Sequence, residues 1–142
     1  NVCSAVRRSV WARIPFARIP FGEDVAWGRA VLEAGFAIAY EPSAAVIHSH
    51  RRPIAEEYRR ERLSHRTLNE RFGIAMVPRR RDVFRGVLWG VQNEIPYVWR
   101  NAPPGRERWR QLARILGLAL AVPLGQHHGF LDAQRARSEP GA

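Results

Sequence analysis

The sequence predicts an α/β chain, with one helix and short strands in its first third and a helical remainder. Three observations point there. Residues 24–34 place Trp27, Ala30, Val31 and Ala34 at the i, i+3, i+4, i+7 spacing of a single helix face, and Gly35 supplies a left-handed stop. Residues 36–40 alternate the large Phe36, Ile38 and Tyr40 with Ala37 and Ala39, the two-residue period of a strand. Beyond His50 charged residues crowd in and the apolar period lengthens, as in surface helices.

In chain order, residues 1–5 read as a short strand and 7–13 as a helical turn carrying Trp11. Pro15 and Pro20 hold residues 14–21 extended, because proline disfavours helix at itself and at the residue before it. After the strand at 36–40, Glu41-Pro42-Ser43 turns the chain, and 45–48 forms a second apolar strand. Pro53 suits the first turn of a long polar helix over 54–72, closed by Gly73, with Glu56 and Arg60 one turn apart. Residues 78–81 make a basic loop. Asp82 caps a third helix, which carries Phe84, Val87, Leu88 and Val91 on one side and stops before Pro96. Pro103-Pro104-Gly105 breaks the chain. Over 106–121, Trp109, Leu112, Leu116 and Ala119 line one face and Arg106, Arg110 and Arg114 another. The last ten residues or so are expected to be loose. The division between the two parts falls at 52/53.

A hydrophobic content of 46% with five Trp is globular material and excludes wholesale disorder. The formal charge of +10 favours polyanions: nucleic acid, anionic lipid head groups or a nucleotide diphosphate. All 23 basic residues are Arg, a bias that a GC-rich coding sequence produces by itself, so arginine number alone does not argue for phosphate binding. The lone Cys3 excludes an internal disulfide and fits a reducing compartment. No apolar run reaches the roughly 18–20 residues that a bilayer span needs. The chain opens on Asn-Val-Cys without Met, which reads as a fragment whose upstream half is missing.

Two places carry candidate chemistry. Glu23 and Asp24 open the helix at 24–34. Carboxylates there can simply satisfy free N–H groups and the helix dipole, worth about 0.3–1 kcal/mol. Alternatively one of them, Asp24 in preference, takes a proton from an acceptor hydroxyl as a general base. His48 and His50 share one face of a strand. They are ordinary histidines, or they complete the coordination of a divalent ion whose other ligands are carboxylates. The arginine-rich helices with interleaved aromatics invite a nucleic-acid reading, but no helix-turn-helix, zinc-finger or RNP signature is present. An interfacial membrane helix over 106–124 competes with plain core packing.

Taken in order, the stretches NVCSAVRRSVW, PF, GEDVAWGRAVLEAGF and YEPSAAVIHSH resemble the C-terminal half of a family 2 glycosyltransferase of the bacterial rhamnosyltransferase type. The resemblance covers about the first third of the chain. It implies a GT-A fold, with residues 1–52 the acceptor-side part of its sheet and residues 53–142 a helical extension. It implies Asp24 as catalytic base with Glu23 beside it, and His48, with His50 a further candidate, against a metal or the donor diphosphate. Trp27 and Arg29 would shape the acceptor side or brace the helix, and Arg8 would contact substrate.

The reaction implied is single-step inverting transfer from a nucleotide sugar to a glycan or lipid-linked acceptor. Mg2+ or Mn2+ would neutralise the departing diphosphate, in the cytoplasm or at the inner face of the cell membrane. The family's nucleotide-binding half and its D-x-D motif are absent from this sequence, so the chain alone is expected to be inactive. The alternative reading is a basic helical module for nucleic acid or anionic membrane, with no specific nucleic acid expected.

Overall fold

Glycines at left-handed φ punctuate the chain wherever a helix must begin or end abruptly. In the computed structural model, which describes residues 4–46 and 52–138, Gly22 (φ 76°) precedes the second helix and Gly35 (φ 81°) follows it. The Gly35 N–H donates to the Leu32 carbonyl and the Phe36 N–H to the Val31 carbonyl, which satisfies two carbonyls the helix end would otherwise leave open. The helices are α1 (Arg8–Arg13), α2 (Glu23–Glu33), α3 (Ile54–Phe72), α4 (Arg80–Asn101) and α5 (Arg106–Ser138). They belong to two compact units, Asn1–Arg51 and Arg52–Ala142.

The α/β expectation, and with it the GT-A sheet, is corrected: the described residues contain no strand. Residues 36–40 have no regular structure, and Ile38 and Tyr40 are 57% and 90% exposed. Alternation is a local property, whereas a strand is held by a hydrogen-bonded ladder to a neighbour. No described segment supplies that neighbour. Residues 4, 5, 45 and 46, expected to be strand, are likewise irregular, and the rest of those two stretches lies outside the described residues.

The first unit is small. Val10 of α1 and Val31 of α2 are its buried apolar residues, while Ala34, expected on the buried face, is exposed. Trp27 is fixed from two sides: its ring stacks on Phe16 with centroids 4.9 Å apart, and its indole N–H donates to the Ile14 carbonyl at 2.5 Å. That contact ties the proline-held segment to α2.

In the second unit α3 and α4 both pack on α5. The α4 side is apolar, built around Val98, Ala102 and Leu112 with Ile95 and Ile115 against them. Gly90 meets Ala119 there and Gly86 meets Pro123. The α3 side is polar, and small residues bring the backbones together: a Cβ added at Gly125 would stand 2.7 Å from the Tyr58 carbonyl oxygen. Across this seam the Tyr58 hydroxyl meets His128 Nδ1 at 2.6 Å, Gln126 donates to Glu61 at 3.0 Å, and Arg114 donates to the Arg52 carbonyl at 2.8 Å.

Prolines do not stop the long helices. α4 continues through Pro96 and α5 through Pro123, where stops were expected at residues 95 and 121. A proline inside a helix costs about 3 kcal/mol. Burial of Val98 and Ala102 offsets it in α4, and burial of the Pro123 ring against Gly86 does so in α5. The last ten residues, expected to be loose, are helical as far as Ser138. Asp82 stands in the first turn of α4 rather than before it, and its carboxylate accepts the Arg79 N–H at 3.1 Å.

Candidate active site

The start of α2 is the place where the chain gathers its nominated carboxylates. Gly22 turns the backbone through a left-handed conformation, and Glu23 and Asp24 follow in the first helical turn. Glu23 is exposed and Asp24 half-buried. One oxygen of Asp24 accepts the Val25 N–H at 2.8 Å. Partial burial acts to raise the Asp24 carboxyl, and the hydrogen bond from the Val25 N–H acts to lower it. The ionised state is the one that both a helix-capping group and a general base require.

One turn further on, Trp27 lies on the same side of α2 as Asp24, three residues apart. Its contacts to Phe16 and Ile14 set the height of the 14–21 segment against the helix start. Arg29 points elsewhere: its Nε donates to Glu33 at 2.7 Å in an exposed pair one turn along α2, so its visible contact braces the helix. Arg8 opens α1 and is exposed. His48 and His50 lie outside the described residues.

Among the described residues no group of three or more His, Cys, Asp or Glu is placed to hold a metal ion. The chemistry that Asp24 can perform unaided is proton acceptance from a hydroxyl approaching the helix start.

The sequence reading missed a second region. Phe84 and Leu88, read on one side of the helix with Val87 and Val91, are 69% and 43% exposed. The face expected on α5 splits in two: Leu112 and Ala119 are buried while Trp109 and Leu116 face outward. The signal that was available is the glycine pair Gly86 and Gly90, which marks the side of α4 that approaches α5 and so turns Phe84 and Leu88 away.

Comparison with protein families, with characterised proteins and with solved structures finds no match to this chain. No helix of the described residues is long and apolar enough to cross a membrane.

Proposed function

We propose that the chain supplies the acceptor-side part of an inverting glycosyltransferase, with Asp24 as general base. The donor would be a nucleotide sugar and the acceptor a glycan or lipid-linked hydroxyl. One observation carries the reading: a half-buried aspartate at a helix start, within the ordered stretches that resemble family 2 glycosyltransferases. The Asp24 carboxylate removes the acceptor proton as the hydroxyl oxygen attacks the anomeric carbon. The bond from that carbon to the nucleotide diphosphate breaks with inversion, and the diphosphate leaves with the electron pair. Trp27, held by Phe16 and Ile14, gives the acceptor a rigid apolar wall beside the base. Glu23 precedes it in the same helical turn, and its negative charge would favour uptake of the proton by the Asp24 carboxylate.

The test uses the protein as it is expressed from its own gene, assayed for transfer from nucleotide sugars. Asp24→Asn lowers kcat by about 10²–10⁴-fold and leaves nucleotide-sugar affinity within a few-fold of the parent. Turnover that survives this substitution removes Asp24 as the base.

A further inference from the structure

α4 and α5 present an apolar face to solvent that no described part of the chain covers. On α4, Phe84, Leu88 and Trp99 are exposed and Ile95 half-buried, at spacings of four, seven and four residues that keep them on one side of the helix. On α5, Trp109, Leu116 and Leu120 are each at least half exposed and follow the same rule, seven and then four residues apart. The rows meet where Trp99, near the end of α4, and Trp109, near the start of α5, stand edge to face with centroids 6.0 Å apart.

Arginines frame that face. Arg81 and Arg85 stand one turn apart near the N-terminus of α4, and the Arg108 guanidinium sits over the Trp99 ring, 5.2 Å from its centre. Residues 79–110 hold eight Arg against three acids. The side chains of Arg81, Arg85 and Arg110 are 62%, 75% and 70% exposed. Asp82, 3.9 Å from both Arg81 and Arg85, and Glu107, 3.0 Å from Arg110, offset only part of that charge.

We propose that this α4–α5 face docks on the surface of an anionic lipid bilayer. The helices would lie in the plane of the interface, with Leu116 and Leu120 toward the acyl boundary, Trp99 and Trp109 at head-group depth, and arginines on the lipid phosphates. Charge complementarity selects an anionic partner. The aliphatic residues select lipid over nucleic acid, since Leu116 and Leu120 neither stack on bases nor pair with phosphate and would stay wetted on a duplex. Neither helix is long and apolar enough to span, which leaves lying on the surface as the mode of contact. The inference stands apart from the sugar-transfer reading and shares no residue with its site.

The test is co-sedimentation of the 142-residue chain with phosphatidylcholine vesicles, with and without phosphatidylglycerol. The chain binds the mixed vesicles and not phosphatidylcholine alone, and its tryptophan emission moves to the blue on binding. Leu116→Glu combined with Leu120→Glu, both at exposed positions, keeps the far-ultraviolet helix signal and lowers vesicle partitioning at least about tenfold. Arg81→Gln combined with Arg85→Gln lowers it about tenfold to thirtyfold, and this pair carries the test if the leucine variant loses its fold. Equal binding to neutral vesicles overturns the proposal. Salt-sensitive binding to duplex DNA without vesicle binding assigns the face to nucleic acid instead. Self-association that the leucine substitutions abolish, again without vesicle binding, assigns it to a second copy of the chain.

Discussion

Arg62 of α3 and Asp132 of α5 meet in a two-point pair, with Nε 2.5 Å from one carboxylate oxygen and Nη2 2.9 Å from the other. The two residues are separated by 70 positions in sequence and hold the polar seam of the second unit. Arg62 keeps much of its side chain in water, so solvent screens the pair and limits its worth to about 0.5–1 kcal/mol.

That pair makes the helical unit sensitive to acid. The hydrogen bond and charge of Arg62 hold the Asp132 carboxyl below its ordinary range, more than offsetting the effect of burial. A folded-state pKa below the unfolded value contributes stability that is complete above the unfolded pKa of about 3.9. It is lost as pH falls through the folded value. Thermal unfolding followed by circular dichroism therefore shows a Tm that declines below about pH 4, and Asp132→Asn lowers the Tm at neutral pH while flattening that decline.

Two glycines of α5 separate backbone contact from side-chain contact. A Cβ at Gly129 would meet the Arg62 carbonyl and stand 2.8 Å from the Arg66 N. Backbone cannot yield cheaply, so Gly129→Ala destabilises by about 1–3 kcal/mol. At Gly117 the obstacle is the tip of the Ile54 side chain, 2.5 Å away, which can rotate, and the alanine also gains helix propensity of about 1 kcal/mol. Urea denaturation places Gly117→Ala near or above the parent and Gly129→Ala well below it.

His65 is a buried polar group with half of its capacity unused. Its Nδ1 lies 3.0 Å from the Glu61 carbonyl oxygen, which only accepts, so Nδ1 donates there. No described residue hydrogen-bonds its Nε2. Replacing the ring by Leu trades one hydrogen bond for relief of a buried unsatisfied nitrogen. The midpoint of urea denaturation for His65→Leu then stays equal to or above that of the parent, whereas a fall of more than about 1 kcal/mol would show Nε2 to be satisfied.

Glu23 and Asp24 are adjacent yet inequivalent, one exposed and one half-buried. In the transfer assay Glu23→Gln retains turnover within about tenfold, while Asp24→Asn loses at least about a hundredfold. Equal losses at both positions would mean that the helix start acts through its total charge rather than through one base.

What the sequence disclosed was local. Gly35 and Gly73 ended their helices at left-handed φ as their place in the pattern demanded, and Pro53 preceded α3. The misses were questions that a neighbour decides. Residues 36–40 alternate like a strand but have no described partner, and the cost of Pro96 is offset by the burial of Val98, two residues beyond it. Nothing in the spacing of Tyr58, Arg62 and Asn69 signals that His128, Asp132 and Gln134 will face them. At the candidate site, Glu23 and Asp24 were visible because acids at a helix start form a local pattern. The fixing of Trp27 by Phe16 and Ile14 needed the folded coordinates.

The dependence of α3 on α5 bears on how the chain is made. Because Tyr58 finds His128 and Arg62 finds Asp132, α3 leaves the ribosome long before its counterpart has been translated. A nascent chain interrupted near residue 120 would lack Gly125, His128, Gly129 and Asp132, the positions of α5 against which α3 packs, and so would leave α3 without most of its docking partner.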